Sequence, residues 1–255
     1  MGTESGTHTR EVERLAELIR GAETVVALTG AGISVPSGIP DFRSPGTGLW
    51  ETVDPMEVAH IEVFRREPKR FWDYYRPRFG MLSDKQPNSA HAVLAELEAR
   101  GLLAGVITQN IDRLHRKAGS RRVIEVHGTI ETSSCVDCGA SFPVDSVEGL
   151  FDGEGVARCP GCGGPVKPDV VLFGELLPER AINEAYALAT AADVLLCVGS
   201  SLEVHPVAGL PAITQSAGGK VAIVTKGPTP YDHEADVRLD GDVVDDLEAL
   251  LAAIG

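Results

Sequence analysis

Apolar residues at Val12, Leu15, Ala16 and Ile19 follow the i, i+3, i+4, i+7 spacing of one helix face, and Gly21 stops the pattern. The run TVVALTG follows at once, too short and too continuously apolar for a helix, and reads as a buried strand. Similar runs are GVITQN, VIEVHG, DVVLFG, DVLLCVG and KVAIVT, and helical stretches such as AHAVLAELEARG and ERAINEAYALATAA lie between most of them. Alternating strands and helices, with strands apolar nearly throughout, predict an α/β fold: a doubly wound, Rossmann-like parallel sheet covered by helices on both faces.

Two stretches break this rhythm. Residues 47–79 carry both tryptophans and the aromatic, charged, helix-like string RREPKRFWDYYRPRF, and residues 131–167 are rich in Cys, Gly and Pro and fit neither period. Both read as insertions that form a smaller domain, a zinc ribbon plus helices. The large domain is then discontinuous, made of 1–46, 80–130 and 168–255.

Composition narrows the function. With 43% apolar residues in 255, the chain has enough material for a core, and its net charge of −14 opposes a phosphate backbone, so a nucleic-acid partner is not expected and a basic peptide suits it better. No apolar run approaches the ~18 residues of a membrane span, the polar start MGTESGTHTREVERL has no signal-like apolar region, and Gly6 spoils the myristoylation pattern. The expectation is a soluble, cytoplasmic protein without a membrane partner. Its oligomeric state is not legible.

Of five cysteines, Cys197 sits in the apolar run DVLLCVG and reads as a core thiol. The others form Cys135-x-x-Cys138 and Cys159-x-x-Cys162, separated by 20 residues, the spacing of a four-thiolate zinc site. Four thiolates leave no open position for water, which makes the expected metal structural.

TVVALTG runs into Gly30-Ala31-Gly32-Ile33-Ser34, where glycines permit a sharp turn and close approach to a pyrophosphate. Val35 stands where the third glycine of a dehydrogenase fingerprint belongs, so the ordinary pattern is not met. The longer strings GAGISVPSGIPDFR (30–43) and TQNIDRLH (108–115) resemble the two signature blocks of the sirtuin family, bacterial type. His127-Gly128, KPDVVLFGE (167–175) and VGSSLEVHP (198–206) follow in the family's order. The likeness spans nearly the whole chain.

That resemblance implies an NAD-dependent protein-lysine deacylase, which transfers the acyl group to ADP-ribose and releases nicotinamide. By the same implication Gly30, Ala31, Gly32, Ile33, Val35, Phe42 and Arg43 line the dinucleotide, with Phe42 shielding the ribose carbon and Arg43 near phosphate oxygens. Gln109, Asn110, Ile111 and Asp112 surround the nicotinamide and its ribose, Asn110 and Asp112 being counted with the catalytic residues. Gly199, Ser200, Ser201, Thr225, Lys226, Asp242 and Val243 continue the pocket toward the adenosine. Thr225 stands where the family commonly has an asparagine, a shorter reach to the ribose. His127 matches the catalytic histidine, and imidazole suits a base at neutral pH. His8, His60, His91 and His233 read as surface or core residues.

The acyl-lysine segment of a protein or peptide is expected to add a strand between VLFGE and SSLEV, touching Val171, Phe173, Gly174, Glu175 and Leu202, with Val171 and Phe173 walling the acyl tunnel. Tyr75 and Arg78, in the Tyr-x-x-Arg spacing of the branch that removes malonyl and succinyl groups, are candidates for an acyl carboxylate. Deacetylation is the first expectation and acidic deacylation the alternative; the rivals are an ADP-ribosyltransferase and a non-enzymatic NAD or zinc module.

Overall fold

The computed structural model describes residues 2–42, 46, 48–51 and 53–255. Strands β1 (Val25–Thr29), β2 (Gly105–Thr108), β3 (Val123–Glu125), β7 (Val194–Val198), β8 (Lys220–Val224) and β9 (Val237–Leu239) form one parallel sheet in the order β3-β2-β1-β7-β8-β9. Between β3 and β7 come β4 (Gly128–Cys135), β5 (Ser141–Pro143) and β6 (Val166–Val170), a separate antiparallel sheet in the order β5-β4-β6.

Alternation along the parallel strands builds two cores. Val25 and Ala27 face one side with Leu196, under the helices Gly2–Gly21, Ser89–Ala99 and Val243–Ile254. Val26 and Leu28 face the other with Leu195 and Cys197, under the helix Glu179–Ala191 and the segment leading to Leu210–Ser216. Both faces are covered, which is why the strands read as continuous apolar runs. Cys197 is buried, as expected of a core thiol. A third cluster holds the small sheet: Phe64, Phe71 and Trp72 from the helices Ile61–Arg66 and Pro68–Ser83 pack with Ile130, Val166 and Val170.

One expectation changes, and one strand was not anticipated. The run DVVLFG is no strand of the parallel sheet, since β6 ends at Val170 and pairs with β4 in the small sheet. Apolar character alone did not distinguish a buried antiparallel strand from a parallel one. The last parallel strand, β9, is three residues long and too short to carry a period. Among the described residues no helix is long and apolar enough to cross a membrane.

The sheet order reverses at β1, because the chain runs outward from it through β2 and β3, then returns to its other side for β7, β8 and β9. Such a reversal opens a crevice at the carboxyl ends of the adjoining strands. Register aligns those ends: Thr29 lies beside Thr108 and Val198.

If burial governs stability as described, Leu196→Ala, at a site with 0% exposure, lowers unfolding free energy in urea by about 2–5 kcal/mol. Leu176→Ala, at 94% exposure, changes it by less than about 0.5 kcal/mol.

Candidate active site

The crevice is closed at its base by two main-chain turns in contact. Gly30 N donates to Val198 O (3.1 Å), Gly32 N to Gly199 O (2.8 Å), and Gly199 N to Val224 O (2.9 Å). A Cβ on Gly32 would lie 2.7 Å from Gly199 O, and one on Gly199, whose φ is +60°, would lie 2.2 Å from Ile33 N. These glycines are therefore required first by the packing of one turn on the other. From Ala31 the chain continues as a 3-10 helix to Ser37, which buries Ile33 and Ser34 and leaves Val35 exposed.

Ser34 is the node of a buried polar cluster. Its Oγ donates to Asp112 Oδ2 (2.6 Å) and accepts from Asn110 Nδ2 (3.2 Å), while Asn110 Nδ2 also donates to Gly30 O (3.0 Å). Asp112 Oδ1 accepts from Leu114 N (2.9 Å), a turn completed by Arg113 in the left-handed region at φ +67°. Burial raises the Asp112 pKa, against the opposing pull of the Ser34 and Leu114 donors. Behind Ser34 stands His91, Nε2 at 3.5 Å from Oγ and Nδ1 at 3.2 Å from Asn88 Oδ1. Burial lowers its pKa to about 4.

A second chain supports the main chain of Asn110. His115 Nε2 lies 2.9 Å from Thr29 Oγ1, Thr29 donates to Thr108 Oγ1 (2.8 Å), and Asn110 N donates to the same oxygen (3.1 Å). Burial, then His91, lowers the His115 pKa to about 3, so both rings are neutral. Ser34, His91, Thr29 and His115 went unassigned in the sequence; an Asn-x-x-His on an otherwise apolar helix face was the available signal for His91.

His127 lies between β3 and β4, where the chain passes from one sheet to the other. Its Nδ1 is 3.1 Å from Gln109 O, an acceptor, so Nδ1 carries the hydrogen and Nε2 keeps its lone pair. Burial lowers its pKa from 6.5, while the Gln109 carbonyl opposes this. Gln109 Nε2 donates to Ser200 Oγ (2.8 Å), and Ser200 packs against Gly30. His127 and the GAGIS turn thus belong to one crevice.

On the small-domain side, Val171 N donates to His127 O (2.9 Å), Phe173 N to Ala59 O (2.9 Å), and Ile61 N to Phe173 O (3.0 Å). The amides of Val171 and Phe173 are therefore taken, which leaves for added main-chain pairing the Val171 carbonyl and, past Phe173, Gly174. Gly174 is exposed, and its main-chain groups have no partner among the described residues. The main chain of exposed Glu203 is likewise unpaired there, next to buried Leu202, which has φ +54° and donates from N to Ser200 Oγ (3.2 Å). Trp50, not picked out in the sequence, bridges the two sides: its ring centroid is 4.7 Å from Phe42 and 5.5 Å from Phe173.

Other expected residues divide. Ile111 is half-buried and packs toward the small-domain core, and Ser201 is half-buried beside Ser200. Thr225 is buried at the end of β8. Asp242 caps the last helix through Val244 N (3.0 Å) and pairs with Lys226 (2.9 Å), with Val243 buried behind it. Arg43 lies outside the described residues. Tyr75 is stacked between Phe71 (4.8 Å) and Phe79 (5.5 Å), and burial pushes its pKa up to about 12. Arg78 lies over the Tyr74 ring at 3.6 Å and donates to Tyr74 O.

The four paired cysteines converge. All four sulfurs lie within 4.8 Å of one another, with Cys135 and Cys162 at 3.5 Å and Cys138 and Cys159 at 3.7 Å. Tetrahedral zinc with bonds of about 2.3 Å requires sulfurs about 3.8 Å apart, so this set fits the ion. Each pair closes a turn on a positive-φ glycine, Gly139 N donating to Cys135 O and Gly163 N to Cys159 O. The crevice likewise fits a dinucleotide: hydroxyl donors, a buried carboxylate and a carboxamide meet at the strand ends where the order reverses.

Comparison with known proteins agrees. A model of the Sir2 family matches residues 30–206. The chain is 45% identical to an NAD-dependent protein deacetylase of Caldivirga maquilingensis, over 93% of this chain and 91% of that protein. It is 46% identical to NAD-dependent protein deacylase 2 of Archaeoglobus fulgidus, over 91% of each. A solved Sir2 bound to acetylated peptide superposes with a TM-score of 0.86 at 38% identity, covering 95% of this chain and 98% of that one. A Sir2 with a deacetylated p53 peptide and 3'-O-acetyl ADP-ribose gives 0.89 at 41%, covering 94% and 96%.

Zinc removal is expected to lower the melting temperature and shift Trp72 fluorescence, because the indole donates to Val166 O (3.2 Å) on the strand beside Cys135. Far-UV circular dichroism should change little. Unchanged stability after complete chelation, verified by metal analysis, contradicts a structural metal.

Proposed function

This chain belongs to the Sir2 family, and from that membership we propose that it is an NAD-dependent protein-lysine deacylase, acting first of all as a deacetylase. The juxtaposition of His127 with the Asn110–Asp112–Ser34 cluster in one crevice carries the reading. NAD, when bound, supplies the ribose carbon that nicotinamide leaves and the ribose hydroxyl that receives the acyl group. Every other task falls to the chain. The division into a discontinuous cofactor domain (1–46, 80–130, 168–255) and a small domain (47–79, 131–167) belongs to the same proposal; β4 and β6 reach past those bounds, to Gly128 and Val170.

Asp112 and Asn110 receive the carboxamide end of the cofactor, and the two glycine turns with Ser200 and Ser201 take its middle. Thr225, Lys226, Asp242 and Val243 meet the adenosine end. His127 takes the proton of the ribose hydroxyl at Nε2, since its hydrogen-bearing Nδ1 is held by Gln109 O. The substrate's main chain meets Gly174, Glu175 and the segment after Leu202, while Val171 and Phe173 flank the acyl-lysine stem. Phe42, in contact with Trp50, covers the sugar and keeps water from it.

A second reading, removal of acidic acyl groups, rests on the Tyr75-x-x-Arg78 spacing, with the Arg78 guanidinium lying over the Tyr74 ring and donating to Tyr74 O. Arg78→Ala should then lower succinyl-peptide turnover relative to acetyl-peptide turnover by at least about tenfold. An unchanged ratio leaves deacetylation alone.

Mass spectrometry of an acetyl-lysine peptide incubated with NAD should find the peptide lighter by one acetyl group and the acetyl on ADP-ribose. A peptide heavier by ADP-ribose instead makes the protein a transferase. His127→Ala should reduce kcat by about 10²–10⁴-fold. Because burial depresses the His127 pKa, the active neutral form persists below pH 6.5 and is lost only as pH falls through the depressed value. An acid limb centred above pH 6.5 removes His127 from the role.

A further inference from the structure

Lys167 carries an ammonium in the interior. Its side chain is 10% exposed and that of its partner Glu175 is 25% exposed. Nζ donates to the carbonyls of Pro168 (3.0 Å) and Val170 (2.6 Å) and to Glu175 Oε2 (3.1 Å), so three oxygens engage its three N–H bonds. Glu175 Oε2 also accepts from Leu172 N (2.8 Å), and Glu175 N donates to Leu172 O (3.0 Å). Residues 172–175 are closed into a turn by these bonds. His60 backs it, since a Cβ on Gly174 would lie 2.9 Å from two atoms of the His60 ring.

A buried lysine–glutamate pair is a poor source of net stability, because desolvation offsets much of the attraction. Three charge-assisted bonds from one nitrogen do supply geometry. We propose that Lys167 is a positioning residue for the acyl-lysine substrate: by tying Glu175 to the carbonyls at the end of β6, it holds the exposed main chain of Gly174 in the orientation that pairs with the peptide. Lys167 itself touches no substrate. Without its ammonium, Glu175 keeps only its bonds to Leu172 while Phe173 stays paired with Ala59 and Ile61, the receptive orientation of Gly174 becomes one of several, and apparent affinity falls with its population. The proposal rests on the deacylase reading.

The test compares wild type, Lys167→Met and Lys167→Met/Glu175→Leu, using anisotropy of a labelled acetyl-lysine peptide, steady-state kinetics and hydrogen exchange. Lys167→Met is expected to raise peptide Kd and KM about tenfold, to leave kcat and the KM for NAD within about twofold, and to speed exchange at the Leu172 and Glu175 amides. The double variant, with an apolar contact in place of the pair, should recover thermal stability but not peptide affinity. Unchanged peptide Kd in folded Lys167→Met overturns the proposal, as does joint recovery of affinity and stability in the double variant. If Lys167→Met does not fold, Glu175→Gln carries the same test, with a several-fold rise in Kd expected and an unchanged Kd overturning it. A wild-type protein that neither binds nor deacetylates the peptide strikes the deacylase reading instead.

Discussion

The contact between the turn after β1 and the turn after β7 is the constraint on which the site depends. Gly32 N bonds to Gly199 O at 2.8 Å, and neither glycine has room for a methyl group. That approach places Gly30 O where Asn110 Nδ2 reaches it, and Ser200 Oγ where both Gln109 Nε2 and Leu202 N reach it. Through Gln109 O it also orients the His127 ring. The pocket proposed for the cofactor, the proposed base and one edge of the proposed substrate cleft are thus located by one backbone-on-backbone fit at the reversal of strand order.

Burial sets the charge state of what is so located. His91, His115 and His127 all have pKa values below 6.5 because charging them would require a cation in a desolvated interior. For a base with a depressed folded-state pKa, the unfolded chain binds the extra proton. His91 and His115 therefore favour the fold in full above pH 6.5, and that contribution declines as pH falls toward about 4 and about 3 respectively. Asp112 is shifted upward by the same burial, which outweighs the Ser34 and Leu114 donors and the Lys117 charge that pull the other way. A carboxyl in that state is sensitive to whatever hydrogen-bond donors enter the pocket.

What the sequence revealed and what it hid follow from range. The parallel strands were legible because two covered faces make each a short apolar run, and the zinc ligands because each Cys-x-x-Cys pair is local. The roles of His127, Asn110 and Asp112 rested on resemblance, since neither spacing nor composition brings residues 34, 91, 110 and 112 together. The polar cluster was hidden for the same reason: its members come from separate elements, and a polar residue in an interior breaks the periodic signal instead of adding to it. DVVLFG misled because only Asp169 and Val170 of it belong to a strand, the end of β6 in the small sheet, where Val170 packs with Phe71 and Trp72. In the sequence Lys167 figures only as the first residue of KPDVVLFGE, and its burial follows from the turn that wraps it.

The small domain explains why a metal so far from the chemistry belongs to the same molecule. β4 runs from Gly128, next to the proposed base, to Cys135, a sulfur of the metal set; their partners on β6, Val170 and Val166, are four residues apart, roughly 13 Å at a rise of about 3.3 Å per residue. An ion at that distance cannot polarise a reacting bond. It can fix the far end of β4 and of β6, whose near end carries Val170 and the turn at Gly174. The stretch between has few long apolar side chains, and Ser133, Ser134 and Lys167 sit in its register. A cross-link at Cys135 therefore does what a larger core would do elsewhere, keeping the Gly174 end of the small sheet in register with His127 beside it.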